Sequence, residues 1–112
     1  MNNLLQTKWE INHSEIHGFG AFTTKFIRKG ECIGLAYQLM GKVNGKYIAG
    51  KITKLGALHN HSLSPTAIPK IIEGREIRFY ALKKLKKSTE ITCNYNEYTN
   101  VMNIERPEKS WK

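Results

Sequence analysis

Trp9 to His13, "WEINH", alternates apolar and polar residues with the period of two that marks a half-buried strand. It runs into "SEIHGFGAFTT", where Gly18 and Gly20 flank Phe19 and the pattern reads as a glycine-rich turn. In "KFIRKGECIGLAYQLM", Lys29 and Gly30 form a turn and Glu31 to Leu39 read as a second strand. The next sixteen residues, "GKVNGKYIAGKITKLG", hold four glycines, with Asn44–Gly45 as a hairpin signal. "TAIPKIIEGREIRFYALKKL" predicts two strands joined at Glu73 and Gly74, and "EITCNY" a last short strand before a polar tail. Helical character is confined to 82–88 and that tail. The expectation is a mostly β fold with little helix: a single domain over 1–112, its core about 8–98 and its tail 99–112.

Composition narrows the class. A chain of 112 residues, 40% hydrophobic, suits one folded domain near the small end of the range. No apolar run approaches the roughly 20 residues of a membrane span. Trp9 and Glu10 interrupt the apolar start, so it does not read as a signal peptide. Two cysteines, Cys32 and Cys93, make neither a disulfide framework nor a zinc set, which predicts a reducing intracellular compartment, cytoplasmic or nuclear. Eighteen basic residues against nine acidic give a net charge of +9, a field that favours nucleic acid, anionic surfaces or acidic partners. The densest run, "KKLKK" from Lys83 to Lys87, reads equally as a binding patch or as a solvated strand end.

"ALHNHSLSP", Ala57 to Pro65, concentrates the candidate chemistry. His59 and His61, two apart, share a face of a strand. Zinc needs three or four ligands, and only His13 and His17 remain to complete a set. The contiguous letters are not the dispersed residues of a nuclease core. Ser62 directly follows His61, so the two point to opposite faces, and no glycine elbow surrounds the serine. A further reading makes Asn60 and His61 hydrogen-bonding groups toward a cofactor, since an amide offers donors and an acceptor together.

Three segments in order carry a family likeness. "IHGFGAFTT" with "IRKGECI", then "NHSLSPT", then "IRFYALKKLKKSTEITCNY" resemble the motifs of SET-domain protein lysine methyltransferases over residues 8–98. The resemblance implies small curved β-sheets with a knot-like C-terminal crossing, and S-adenosylmethionine as methyl donor to a lysine of a protein substrate. It implies cofactor contacts from His17, Gly18, Phe19, Gly20, Asn60 and His61, with Trp111 stacking on adenine. Tyr95 becomes the catalytic tyrosine at the transfer point, while Tyr37 and Cys93 line the substrate lysine. No metal is implied. Small members of this kind complete their substrate groove with a second copy, so a homodimer is expected.

Departures from the pattern include "ALH" before Asn60, Leu63, Thr66, Cys93, and Ser88 in place of a turn glycine. They keep an alternative open: a non-catalytic SET-like module that binds nucleic acid or protein through its basic face. A basic substrate tail is also repelled by this chain. That expectation calls for an acidic patch from Glu73, Glu76, Glu90 and Glu97, or for a substrate presented on nucleic acid or an acidic protein.

Overall fold

The computed structural model describes residues 7–98. Trp111 and the tail from 99 onward lie outside the described residues. The described residues form eight strands and one short helix: β1 (Trp9–His13), β2 (Phe19–Thr23), β3 (Cys32–Val43), β4 (Lys46–Ile52), α1 (Lys54–Leu58), β5 (Asn60–His61), β6 (Ala67–Ile72), β7 (Glu76–Ala81) and β8 (Glu90–Cys93). They make two four-stranded sheets, ordered β1-β2-β8-β5 and β4-β3-β7-β6. The mostly β expectation holds.

Turn chemistry explains the second sheet. Asn44 and Gly45 both adopt positive φ, 54° and 80°, as the two-residue turn between β3 and β4 requires. Glu73 and Gly74, at 53° and 70°, also adopt positive φ in the three-residue turn, 73–75, between β6 and β7. β3 outruns the predicted Glu31–Leu39 strand to Val43, because Lys42 and Val43 pair with Tyr47 and Lys46 up to the turn itself. Register shifts along β3 toward both neighbours bend it. Ala36 and Tyr37 of β3 enter the core with Ile77 and Phe79 of β7, all buried.

Two expectations are corrected. The glycine-rich stretch is not only a turn: Phe19–Thr23 is a strand between β1 and β8, with Ala21 fully buried. The helix, too, lies elsewhere. Residues 82–88 form a turn and a bridge from Leu85 to Ile27, and the chain's described α-helix is Lys54–Leu58. Thr53 caps it, its Oγ1 accepting from Gly56 N–H at 3.2 Å and donating to Leu35 O at 2.8 Å. Five residues are too few to show a helical period. They fit against β3 only because Gly56 has no side chain, since a Cβ there would meet Ala36 O.

Ser88 sits at φ 68°, in the left-handed region that disfavours a side chain. Ser88→Gly should therefore stabilise the fold by about 0.5–1 kcal/mol, the strain relieved less the added freedom of glycine when unfolded. Urea unfolding of the two proteins measures the difference; a lower midpoint for the glycine variant would contradict it.

Candidate active site

β8 is the strand on which the site is assembled. It pairs antiparallel with β2 on one side, Ala21 with Ile91 and Phe22 with Glu90, and parallel with β5 on the other, Asn60 with Thr92 and His61 with Cys93. The glycine segment, the Asn-His pair and the tyrosine that follows β8 are thereby drawn into one sheet.

Asn60 ties the first two clusters together. It is 1% exposed, and its Nδ2 lies within 3.2 Å of Ser14 Oγ, His17 O, Phe19 O and, closest at 2.8 Å, Glu90 Oε2. Three of these can only accept, so the amide must turn its donors toward them. Glu90 also accepts from Ser14 Oγ–H, 2.9 Å from each oxygen. Ser14 Oγ in turn accepts from the Ile16 N–H. The hub explains the glycines differently from ligand approach alone. Gly20 has no room for a Cβ because the Glu90 carboxylate and Asn60 Nδ2 occupy it, and Gly18 adopts φ 47°. Phe19 stays half exposed and stacks on His13 with ring centres 4.8 Å apart.

His61 and His59 hold the third cluster. His61 Nδ1 accepts the Tyr95 N–H at 3.0 Å, which places the neutral ring's proton on Nε2, and the two rings lie 4.9 Å apart. The Tyr95 hydroxyl donates to His59 O at 2.8 Å. His59 itself is buried: Nδ1 donates to Gly56 O at 2.7 Å, leaving Nε2 to accept the Tyr98 hydroxyl at 3.2 Å. Ser62 N–H donates to Cys93 O, so strand alternation turns the backbone N–H and C=O of His61 to the outer edge of β5. β5 ends its sheet, and among the described residues no strand covers that edge.

Beneath Tyr95 lies a dry aromatic nest. Tyr37 and Tyr98 meet edge to face at 5.9 Å, and Tyr37 donates to Gly56 O. Cys93 is fully buried among them. Burial pushes the phenols of Tyr37, Tyr95 and Tyr98 up, as it does the Cys93 thiol. All four groups are neutral through the physiological range.

Among the sequence-derived candidates, the structure brings His17, Gly18, Phe19, Gly20, Asn60, His61 and Tyr95 into one connected set, with Tyr37 and Cys93 adjoining below. The rings of His59 and His61 are engaged by protein groups, and among the described residues no three His, Cys, Asp or Glu side chains gather as a metal would need. Two of the four carboxylates proposed for an acidic patch are occupied, Glu76 by Arg78 at 2.8 Å and Glu90 by Asn60 and Ser14. Sequence reasoning missed Ser14, the placement of Glu90, and Tyr98. The one available signal was Glu90 at the head of "EITCNY".

The SET domain family profile matches residues 37–96, more than half of the sequence. The chain belongs to the SET domain family. A candidate histone methyltransferase of Plasmodium falciparum is 25% identical, with a TM-score of 0.63 over 80% of this chain and 94% of that one. The Polycomb Repressive Complex 2 of Chaetomium thermophilum in an autoinhibited state shares the SET fold, with a TM-score of 0.64 at 20% identity in the apo form. The S-adenosylmethionine-bound form gives 0.61 at 18%. These matches cover 80% and 82% of this SET chain, which spans only 15% of the Polycomb chains. No curated protein sequence matches it.

Proposed function

We propose that this chain is a protein lysine N-methyltransferase that uses S-adenosylmethionine. The observation that carries the reading is the double tie at Asn60–His61. The amide reaches the glycine segment through His17 O and Phe19 O, and the adjacent imidazole reaches Tyr95. The polar groups there fit the cofactor. The outward N–H and C=O of His61 match a base edge, and His17 O, Phe19 O and the Glu90 carboxylate are acceptors suited to an α-ammonium. When bound, S-adenosylmethionine supplies a methyl group carried on a positively charged sulfur.

The chain's residues then have three tasks. Asn60 and Glu90 hold the glycine segment against β5 and keep its carbonyls aimed. Tyr95, its proton committed to His59 O, presents hydroxyl lone pairs that orient a lysine amine. The nest of Tyr37, Tyr98 and Cys93 excludes water and disfavours an ammonium, lowering the lysine from its usual value of about 10.4 toward the neutral, nucleophilic form. A protein partner carrying that lysine is the substrate class.

The rival reading is a binding module without catalysis. It draws on Asn60, whose donors are already taken by groups of the chain itself. Calorimetric titration with S-adenosylmethionine separates the two: the enzyme gives saturable one-site heat, and the absence of heat sinks the proposal. Transfer of labelled methyl to lysine in a protein lysate completes the test.

A further inference from the structure

Lys25–Lys29 and Lys83–Lys87 lie far apart in the chain and side by side in the fold. Ile27 and Leu85 exchange both backbone hydrogen bonds, at 2.8 and 2.9 Å, in an antiparallel bridge. At one end the Thr23 N–H donates to Thr89 O and its hydroxyl to Lys86 O at 2.7 Å. At the other, Gly30 N–H donates to Ala81 O and Ala81 N–H to Glu31 O. Three attachments hold the two segments as a pair. Ile27 and Leu85 are buried, at 0% and 1% exposure, so alternation turns Phe26, Arg28, Lys84 and Lys86 outward.

The pairing concentrates charge that the sequence distributes. Three cations on one segment and four on the other make seven of the chain's eighteen, all exposed. None forms an ion pair with a described residue. The carboxylate at this end, Glu31, is already taken. It accepts the Arg28 N–H at 2.9 Å and meets Lys8 Nζ at 2.9 Å, and these contacts hold it below the usual carboxylate range. A depression of about 590 Å³ opens beside it, lined by Lys25, Phe26, Arg28, Lys29, Gly30 and Glu31. Like charges set side by side repel and contribute nothing to the fold; they suit a polyanion.

We propose that this paired basic surface docks the phosphate backbone of duplex DNA without reading its sequence. Six of the seven cations are lysines, point charges that meet phosphates and leave base edges unread. Phe26, 50% exposed, is a single aromatic where single-strand binding needs a row of stacking platforms. Each five-residue segment, extended at its central bridge and turned at its ends, spreads its charge over at most about 13 Å, a span along which a duplex presents several phosphates. The surface continues from Thr23 and Thr89, away from the end of β2 that carries Gly20 and the end of β8 that Tyr95 follows. It therefore does not rest on methyl transfer, and shared DNA would bring a basic enzyme to a basic substrate despite their repulsion.

The test uses the full chain without cofactor. Anisotropy of a labelled duplex of about 20 base pairs, read from about 50 to 200 mM salt, should show saturable binding that weakens linearly in log salt. Replacing Lys83, Lys84, Lys86 and Lys87 by glutamine should weaken binding at least about tenfold and flatten the slope by about 0.9 per lost phosphate contact. Lys25→Gln with Lys29→Gln should act in the same direction. A charge-matched control, glutamine at Lys42, Lys46, Lys51 and Lys70, should stay within about threefold. Equal loss in variant and control overturns the proposal. So does no duplex binding at low salt, tighter binding of a single strand of the same length, or preference for phosphatidylserine vesicles over duplex.

Discussion

Replacing Tyr95 with phenylalanine should lower the proposed methyl transfer by about 100- to 1,000-fold, the range for removing one positioned polar group from a dry site. The same change leaves S-adenosylmethionine binding near wild type, because the ring still packs on His61 and the backbone N–H still reaches His61 Nδ1. Stability should fall by about 1 kcal/mol, since a hydrogen bond to His59 O is lost in a site that admits little water. The pH profile separates positioning from base catalysis. Burial keeps the Tyr95 phenol protonated well above its ordinary range, so it cannot supply a phenolate at working pH. The rate should rise from pH 7 toward 9 as the substrate lysine loses its proton, and the variant should show the same rising limb at lower amplitude. Loss of that limb in the variant would make Tyr95 the base. Unchanged activity would remove it from the mechanism.

Asn60→Asp should be strongly destabilising although it is nearly isosteric. The side chain keeps its shape, but an oxygen replaces the nitrogen that faces Glu90 Oε2, His17 O and Phe19 O. Three donor contacts become repulsions at a residue 1% exposed, and the Ser14 hydroxyl, which can donate, offsets only part of this. The expected loss at pH 7 is on the order of 3 kcal/mol, as for an uncompensated buried charge. Its pH dependence has a definite sign. The introduced carboxyl binds its proton more tightly when folded than the ordinary value of about 3.9 in the unfolded chain. The folded state then holds more protons, and the deficit grows as pH rises from about 4. Urea midpoints for both proteins at pH 4.5 and 7 read this directly. A deficit that does not grow with pH would mean the amide's donors are dispensable. Asn60→Ala, which removes the donors without adding charge, should cost less than Asn60→Asp.

The parts of the fold that the sequence disclosed are those governed by local chemistry. Asn44–Gly45 and Glu73–Gly74 were legible as turns because few residue pairs tolerate the positive φ they adopt. "WEINH" was legible because β1 is half buried on an outer edge. Phe19–Thr23 was not. As an inner strand between β1 and β8 it buries successive residues, and its glycine imitates a turn. The site divides the same way. The motif residues stood out through their likeness to a known family. The hub beneath them joins Ser14 to Glu90 across 76 positions and Asn60 to Ser14 across 46. No local periodicity encodes contacts of that reach; they follow from β8 entering between β2 and β5.

That entry also dictates when the protein can become itself. Until Glu90–Cys93 has emerged from synthesis, β2 and β5 share no neighbour, and the edge that each offers stays unfilled. Such a chain should mature late and slowly, on the millisecond-to-second scale of long-range sheets. Its nascent form is most exposed to aggregation just before β8 arrives.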